Sequence, residues 1–139
     1  MRGFGEYRFA DGSVYKGNWF NDLQHGKGLL TYPNGTRISG TWTSGEVNGK
    51  AKYVYSNGNV YEGSFVNGER NGQGKMQYRS GNTYIGNWKM GEKEGKGEMY
   101  YSNGDVYVGN WVQGKKQGQG NYQYGLGGEY EGQWHDDQR

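Results

Sequence analysis

Tyr61-Glu62-Gly63-Ser64-Phe65-Val66-Asn67-Gly68-Glu69-Arg70-Asn71-Gly72-Gln73-Gly74-Lys75-Met76-Gln77-Tyr78-Arg79-Ser80-Gly81 decides how the rest of the chain is read. A shift of 23 residues in either direction returns the same skeleton, and a period of that size marks a repeat architecture. The leading position holds Tyr15, Ile38, Tyr61, Tyr84, Tyr107 and Tyr130. Two residues on stand Gly17, Gly40, Gly63, Gly86, Gly109 and Gly132, and two further Trp19, Trp42, Phe65, Trp88, Trp111 and Trp134. The unit closes on Phe9, Tyr32, Tyr55, Tyr78, Tyr101 and Tyr124, each followed three residues later by glycine. No insertion or deletion breaks the count.

Alternation within the unit has period two, which argues for strands. In Gly74 to Tyr78, Gly, Met and Tyr share one face while Lys75 and Gln77 share the other. In Tyr61 to Phe65, the aromatic residues and Gly63 share a face from which Glu62 and Ser64 point away. A glycine inside a strand leaves a gap that a neighbouring ring can cover. The predicted fold is all-β: an elongated, single-layer, twisted and curved array of six antiparallel hairpins. The hairpins span about 3–19, 26–42, 49–65, 72–88, 95–111 and 118–134 within one array over residues 1–139. Asp11-Gly12, Asn34-Gly35, Asn57-Gly58 and Asn103-Gly104 are predicted as two-residue hairpin turns, with Ser80-Gly81 and Leu126-Gly127 as weaker versions. Segments such as 66–73 are predicted as glycine-rich loops between hairpins. Strands ~4.8 Å apart give an array about 55–60 Å long.

Composition limits the core. The 139 residues include 29 glycines and a 31% hydrophobic fraction supplied largely by Tyr and Trp, so the core is thin and aromatic. Aromatics at 17%, fixed in register, argue against a disordered glycine-rich chain. A net charge of +2 with interleaved signs gives no nucleic-acid footprint. The absence of cysteine removes disulfides and thiolate metal sites. No apolar run has membrane-spanning length and residues 1–10 lack a signal-peptide core, so the expected location is cytoplasmic, with association to cytoskeleton or membrane open.

The pattern Tyr-Glu-Gly-Ser-Phe-x-x-Gly-x-x-x-Gly-x-Gly at Tyr61 to Gly74 resembles the membrane occupation and recognition nexus (MORN) repeat, and the resemblance covers essentially the whole chain. It departs at Ile38 (for Tyr), Ala51 (for Gly), and Asp22 and Asp137 (for the loop Gly). The resemblance implies a hairpin array whose members hold proteins together, dimerise or sit at membranes.

No catalytic constellation, cofactor motif or metal site emerges. His25 and His135 lie apart with no cysteine near them, and no serine has an adjacent histidine. The sequence points instead to two surfaces. One is an aromatic groove of Tyr61, Phe65, Tyr78, Tyr84, Trp88, Tyr101, Tyr107 and Trp111, suited to a protein partner in the form of an extended peptide or an amphipathic helix. The other is a ladder of basic loop residues, Lys27, Lys50 and Lys96 at one repeat position and Arg70, Lys93 and Lys116 at another. That ladder would meet an anionic phospholipid, although Glu46, Glu69, Glu92 and Glu94 share the same loops. The first and last strands, as open edges, predict a homodimer or end-to-end assembly.

Overall fold

A computed structural model describes residues 3–138. The described residues form twelve strands and no helix. The chain divides into two compact units, Met1–Glu69 and Arg70–Arg139. The first holds β1 (Gly3–Arg8), β2 (Val14–Phe20), β3 (Leu23–Thr31), β4 (Arg37–Thr43), β5 (Glu46–Val54) and β6 (Val60–Val66). The second holds β7 (Glu69–Gln77, beginning at the boundary residue), β8 (Thr83–Lys89), β9 (Glu92–Tyr100), β10 (Val106–Val112), β11 (Lys115–Gln123) and β12 (Glu129–Trp134). Each is an antiparallel meander in which strand order follows the chain.

The turns differ from expectation in an instructive way. Asp11-Gly12 and its relatives are not two-residue turns. Gly12 N donates to Phe9 O and Phe9 N donates to Ser13 O, which defines a three-residue loop with a glycine bulge. Only the glycine has positive φ there (Gly12, 93°). The preceding Asn or Asp works through its side chain: Asp11, Asn34, Asn57 and Asn103 each accept the N–H two residues on, at 2.8–3.0 Å. The two-residue turns with both φ values positive lie where loops were expected, at Asn21-Asp22, Ser44-Gly45, Asn67-Gly68, Met90-Gly91 and Gln113-Gly114. The segment predicted as a loop over 66–73 is therefore one tight turn followed by strand residues of β7.

Strands β3, β5, β9 and β11 carry a bulge that accounts for their extra length. In β2–β3 the register runs Gly17↔Gly28 and then Trp19↔Gln24, so one residue, Asn18, faces three. The same shift recurs opposite Gly40/Trp42, Gly86/Trp88 and Gly109/Trp111. Where these ladders are interrupted, the leading tyrosine hydroxyl donates to the carbonyl facing the bulge: Tyr15 to Asn18, Tyr84 to Asn87 and Tyr107 to Asn110, at 3.0–3.1 Å, and Tyr61 makes the same bond to Ser64 O at 3.0 Å.

To reach that carbonyl the tyrosine lies flat over two glycines. A Cβ on Gly97 would sit 2.1 Å from the Tyr84 hydroxyl, and one on Gly86 2.8 Å from it. Only glycine admits the ring so close to the backbone. Tyr15, Tyr84 and Tyr107 are each flanked edge-on by the Trp of their own repeat and that of the next, as Tyr84 is by Trp88 (5.2 Å) and Trp111 (5.4 Å). Such edge-to-face pairs contribute about 0.5–1.5 kcal/mol each beyond burial. The indole N–H donates back to a glycine carbonyl 14 residues upstream, Trp42 to Gly28 and Trp88 to Gly74. This aromatic layer on glycine is the core: Tyr15, Tyr61, Tyr84 and Tyr107 retain no exposed surface.

Candidate functional site

The core assignment corrects part of the groove read from sequence. Tyr61, Phe65, Tyr84, Trp88, Tyr107 and Trp111 are all buried, because they cover one another and the glycine backbone. Of the eight predicted rings only Tyr78 and Tyr101 are half-exposed. They belong to the closing position of the repeat, whose other members, Phe9, Tyr32, Tyr55 and Tyr124, are half-exposed as well. Tyr53 and Tyr122 join them: Tyr53 stacks on Tyr55 at 4.3 Å, and Tyr122 lies 4.8 Å from Tyr124 and 5.8 Å from Tyr101. These half-exposed rings thus lie at the three-residue-loop end of the strands, displaced from the leading tyrosines, while Phe4 and Phe20 are exposed at the opposite end of theirs.

In the first unit this surface opens into two adjoining depressions. The larger, about 420 Å³, is lined by Phe9, Leu30, Tyr32, Ile38, Trp42 and Val47 among others, with Asp11 and Glu46 at its margin. The smaller, about 320 Å³, shares Phe9 and Gln24 with it and adds Tyr7, Trp19 and Asp22. Asp11 is held below the usual carboxylate range by hydrogen bonds from the Ser13 hydroxyl and N–H.

The basic ladder splits in two. Strand residues an odd number apart point to opposite faces, and Lys93 and Lys96 are three apart. Lys27 and Lys50 are exposed on the face away from the rings, where with Lys16, Ser39 and Thr41 they border a shallow depression of about 690 Å³. Lys96 borders its counterpart in the second unit. Arg70, Lys93 and Lys116 instead turn onto the aromatic face. Arg70 Cζ lies 4.7 Å above Trp88 and its Nη2 donates to Gly91 O at 2.5 Å. Lys93 Nζ is 5.1 Å from the Trp111 ring and donates to the Tyr78 hydroxyl at 3.2 Å. Lys116 Nζ is 5.3 Å from Trp134 and donates to the Tyr101 hydroxyl at 3.0 Å. Within the second unit, Lys96 therefore lies on the opposite face from Arg70, Lys93 and Lys116. The parity of each cation relative to the nearest buried glycine carried this signal: Lys93 is four residues from Gly97, Lys96 only one.

Burial shapes the electrostatics. Desolvation pushes the Lys93 ammonium below its ordinary pKa, with Asp137 and Glu92 opposing at longer range and Arg70 and Lys116 reinforcing. The same cause pushes Tyr107 up to about 12 and raises Tyr84 further. Among the described residues no group of three or more His, Asp or Glu side chains is arranged to hold a metal ion. Among the described residues no helix is long and apolar enough to cross a membrane.

A glycine-floored aromatic layer, repeated every 23 residues and closed by alternating tight and bulged turns, defines a β-hairpin repeat protein. The chain belongs to the MORN repeat family, whose model matches residues 1–14, 15–37, 39–60, 61–83, 84–106, 107–127 and 130–139. No sequence among the curated proteins matches it. Among solved structures it is similar to the TCP domain of SAS-4 (dCPAP) of Drosophila melanogaster, solved in complex with a proline-rich motif of Ana2 (dSTIL). That match has 12% identity and a TM-score of 0.57, over 94% of this chain and 72% of that one. It is also similar to the wild-type TCP10 domain of Danio rerio CPAP, with 18% identity and a TM-score of 0.55 over 99% and 68% of the two chains. At these identities the likeness is one of fold.

Proposed function

We propose that the chain is a non-catalytic scaffold that holds a protein partner on its aromatic face. The observation that carries this reading is the row of half-exposed rings at the closing position of the repeat, joined in the first unit to the depressions lined by Phe9, Tyr32 and Trp42. Rigid amphipathic rings give large contact area at low entropic cost, which is why they dominate binding hot spots. The backbone of the interior strands is already paired on both sides, so a partner lying on this face gains no ladder hydrogen bonds. That favours an extended segment with a solvated backbone over an added strand. The complex of the similar SAS-4 domain with a proline-rich motif supports the same choice.

The test is isolation of a partner from source extract followed by titration against ring variants. Tyr32→Ser and Tyr53→Ser should each weaken binding by about 2 kcal/mol, as hot-spot residues do, at temperatures where thermal melts show the variants still fully folded. Lys27→Glu with Lys50→Glu should leave it intact. The opposite pattern would remove this reading.

A second reading rests on Lys16, Lys27 and Lys50 around the shallow depression of the other face, which would attract an anionic phospholipid surface. Flotation with phosphoinositide-containing vesicles, lost on Lys27→Glu/Lys50→Glu and on raising salt, would favour it.

A further inference from the structure

Among the described residues, the second unit contains one cation with a carboxylate at ion-pair distance and an otherwise equivalent cation with none so close. Lys116 and Lys93 are one repeat apart and similarly placed. Each donates to the closing tyrosine of the preceding repeat, Tyr101 or Tyr78, and each lies over a ring of its own and of the next repeat. Each carbonyl accepts from the tight turn one repeat on, Lys116 O from Asp137 N and Lys93 O from Gly114 N, both at 3.0 Å. The difference lies in that turn residue. Asp137 Oδ1 accepts the Lys116 backbone N–H at 2.6 Å and stands 3.8 Å from its Nζ. Gly114 has no side chain to offer the Lys93 ammonium, and a Cβ built on it would have no atom within 4 Å. The nearby Glu94 carboxylate is directed to Gln113 N at 2.8 Å.

A half-buried ammonium over aromatic rings has lost part of its water, and a carboxylate brought to it regains more than one brought to an exposed lysine. Arg70 and Lys116 on the same face add to the local positive potential. We propose that Lys93, with the Tyr78 hydroxyl and the open space above Gly114, is an anchor for an acidic side chain of the extended partner segment, in the position that Asp137 takes at Lys116. The inference rests on the peptide-binding reading above and adds the chemistry of the partner: an Asp or Glu set among residues that pack on Tyr78 and Tyr101.

The structure supplies a blocking variant. Gly114 has φ of 83° and Asp137 69°, so Gly114→Asp enters a backbone conformation the chain already gives an aspartate. It should place a carboxylate on Lys93 without disturbing the fold, and the Lys93 side-chain pKa, followed by NMR, should rise. A randomised linear-peptide display library is then selected on the wild-type chain. The expected result is a fixed Asp or Glu. Changing that residue to Gln or Asn in the peptide, or making Lys93→Met or Gly114→Asp in the protein, should each lower affinity about tenfold, and the losses should not add. Selected peptides without an acidic position would overturn the Lys93 anchor while leaving peptide binding standing. So would acidic peptides indifferent to both variants, or a Lys93 pKa unmoved by Gly114→Asp. A library yielding no binder at all would overturn both.

Discussion

Ile38 and Ala51 are a matched pair. In other repeats a Cβ at the position of Ala51 would fall 2.0–2.3 Å from a tyrosine hydroxyl, at Gly28 under Tyr15, at Gly97 under Tyr84 and at Gly120 under Tyr107. Where the leading residue is Ile38, no hydroxyl reaches across, and the Ala51 methyl occupies the space instead. Its Cβ is the nearest atom to a Cβ built on Gly40, at 2.4 Å. Two departures from the repeat pattern are thus one structural event.

The coupling is measurable at Tyr84. Gly97→Ala alone should destabilise by about 3 kcal/mol, because the methyl must displace a fully buried ring. Tyr84→Ile with Gly97→Ala should cost less than the sum of the single changes by about 1 kcal/mol or more, in a denaturant double-mutant cycle. Strict additivity would refute the pairing.

Met90 is held at φ 50° in a two-residue turn while 73% exposed, so it bears left-handed strain with little packing to offset it. Met90→Asn should stabilise by about 0.5–1 kcal/mol, since Asn tolerates this region better. An unchanged or lowered melting temperature would show that the side chain makes a contribution the turn geometry does not reveal.

Alkaline pH should destabilise the fold. Burial raises the pKa of Tyr107 to about 12 from an ordinary 10, with Tyr15, Tyr84 and Tyr122 shifted in the same direction. A raised folded-state pKa means stability complete below pH 10 and lost as pH climbs through 12. Lys93, shifted down, has the opposite sign: its burial becomes less costly as pH rises toward 10.5. The tyrosines are the more numerous, so chemical denaturation between pH 9 and 12 should show a net decline. A flat profile would contradict the buried hydroxyls.

Removing residues 120–139 deletes β12 and part of β11. Repeat arrays are stabilised by neighbouring units, so the remainder should stay folded with a lower melting temperature. Loss of all β signal in circular dichroism would contradict near-neighbour stabilisation.

The strands and their phase were legible because glycine and aromatic residues recur with period two inside a period of 23. The turn chemistry was not. Asn57-Gly58 signals both a two-residue turn and a bulged loop, and only the register, Tyr55 N to Asn59 O, selects the loop. Met90-Gly91 and Gln113-Gly114 carry little turn signal of their own; ladder pairing on both sides forces their left-handed backbone. The site was legible in kind and not in place. Whether Tyr84 or Tyr78 faces outward depends on which ring lies down over glycine, and that follows from the bulge. The side on which Lys93 and Lys96 fall was readable from parity alone.

The tight turns carry one more consequence. The glycine N–H of a tight turn ties it to the strand start 21 residues earlier, Gly45 to Gln24, Gly91 to Arg70 and Gly114 to Lys93, and the indoles reach back only 14. These bonds ask nothing of residues that come later in the chain. Structure of this kind can form in the order of synthesis, each repeat docking on the one already made as it leaves the ribosome, with little delay from long loop closure.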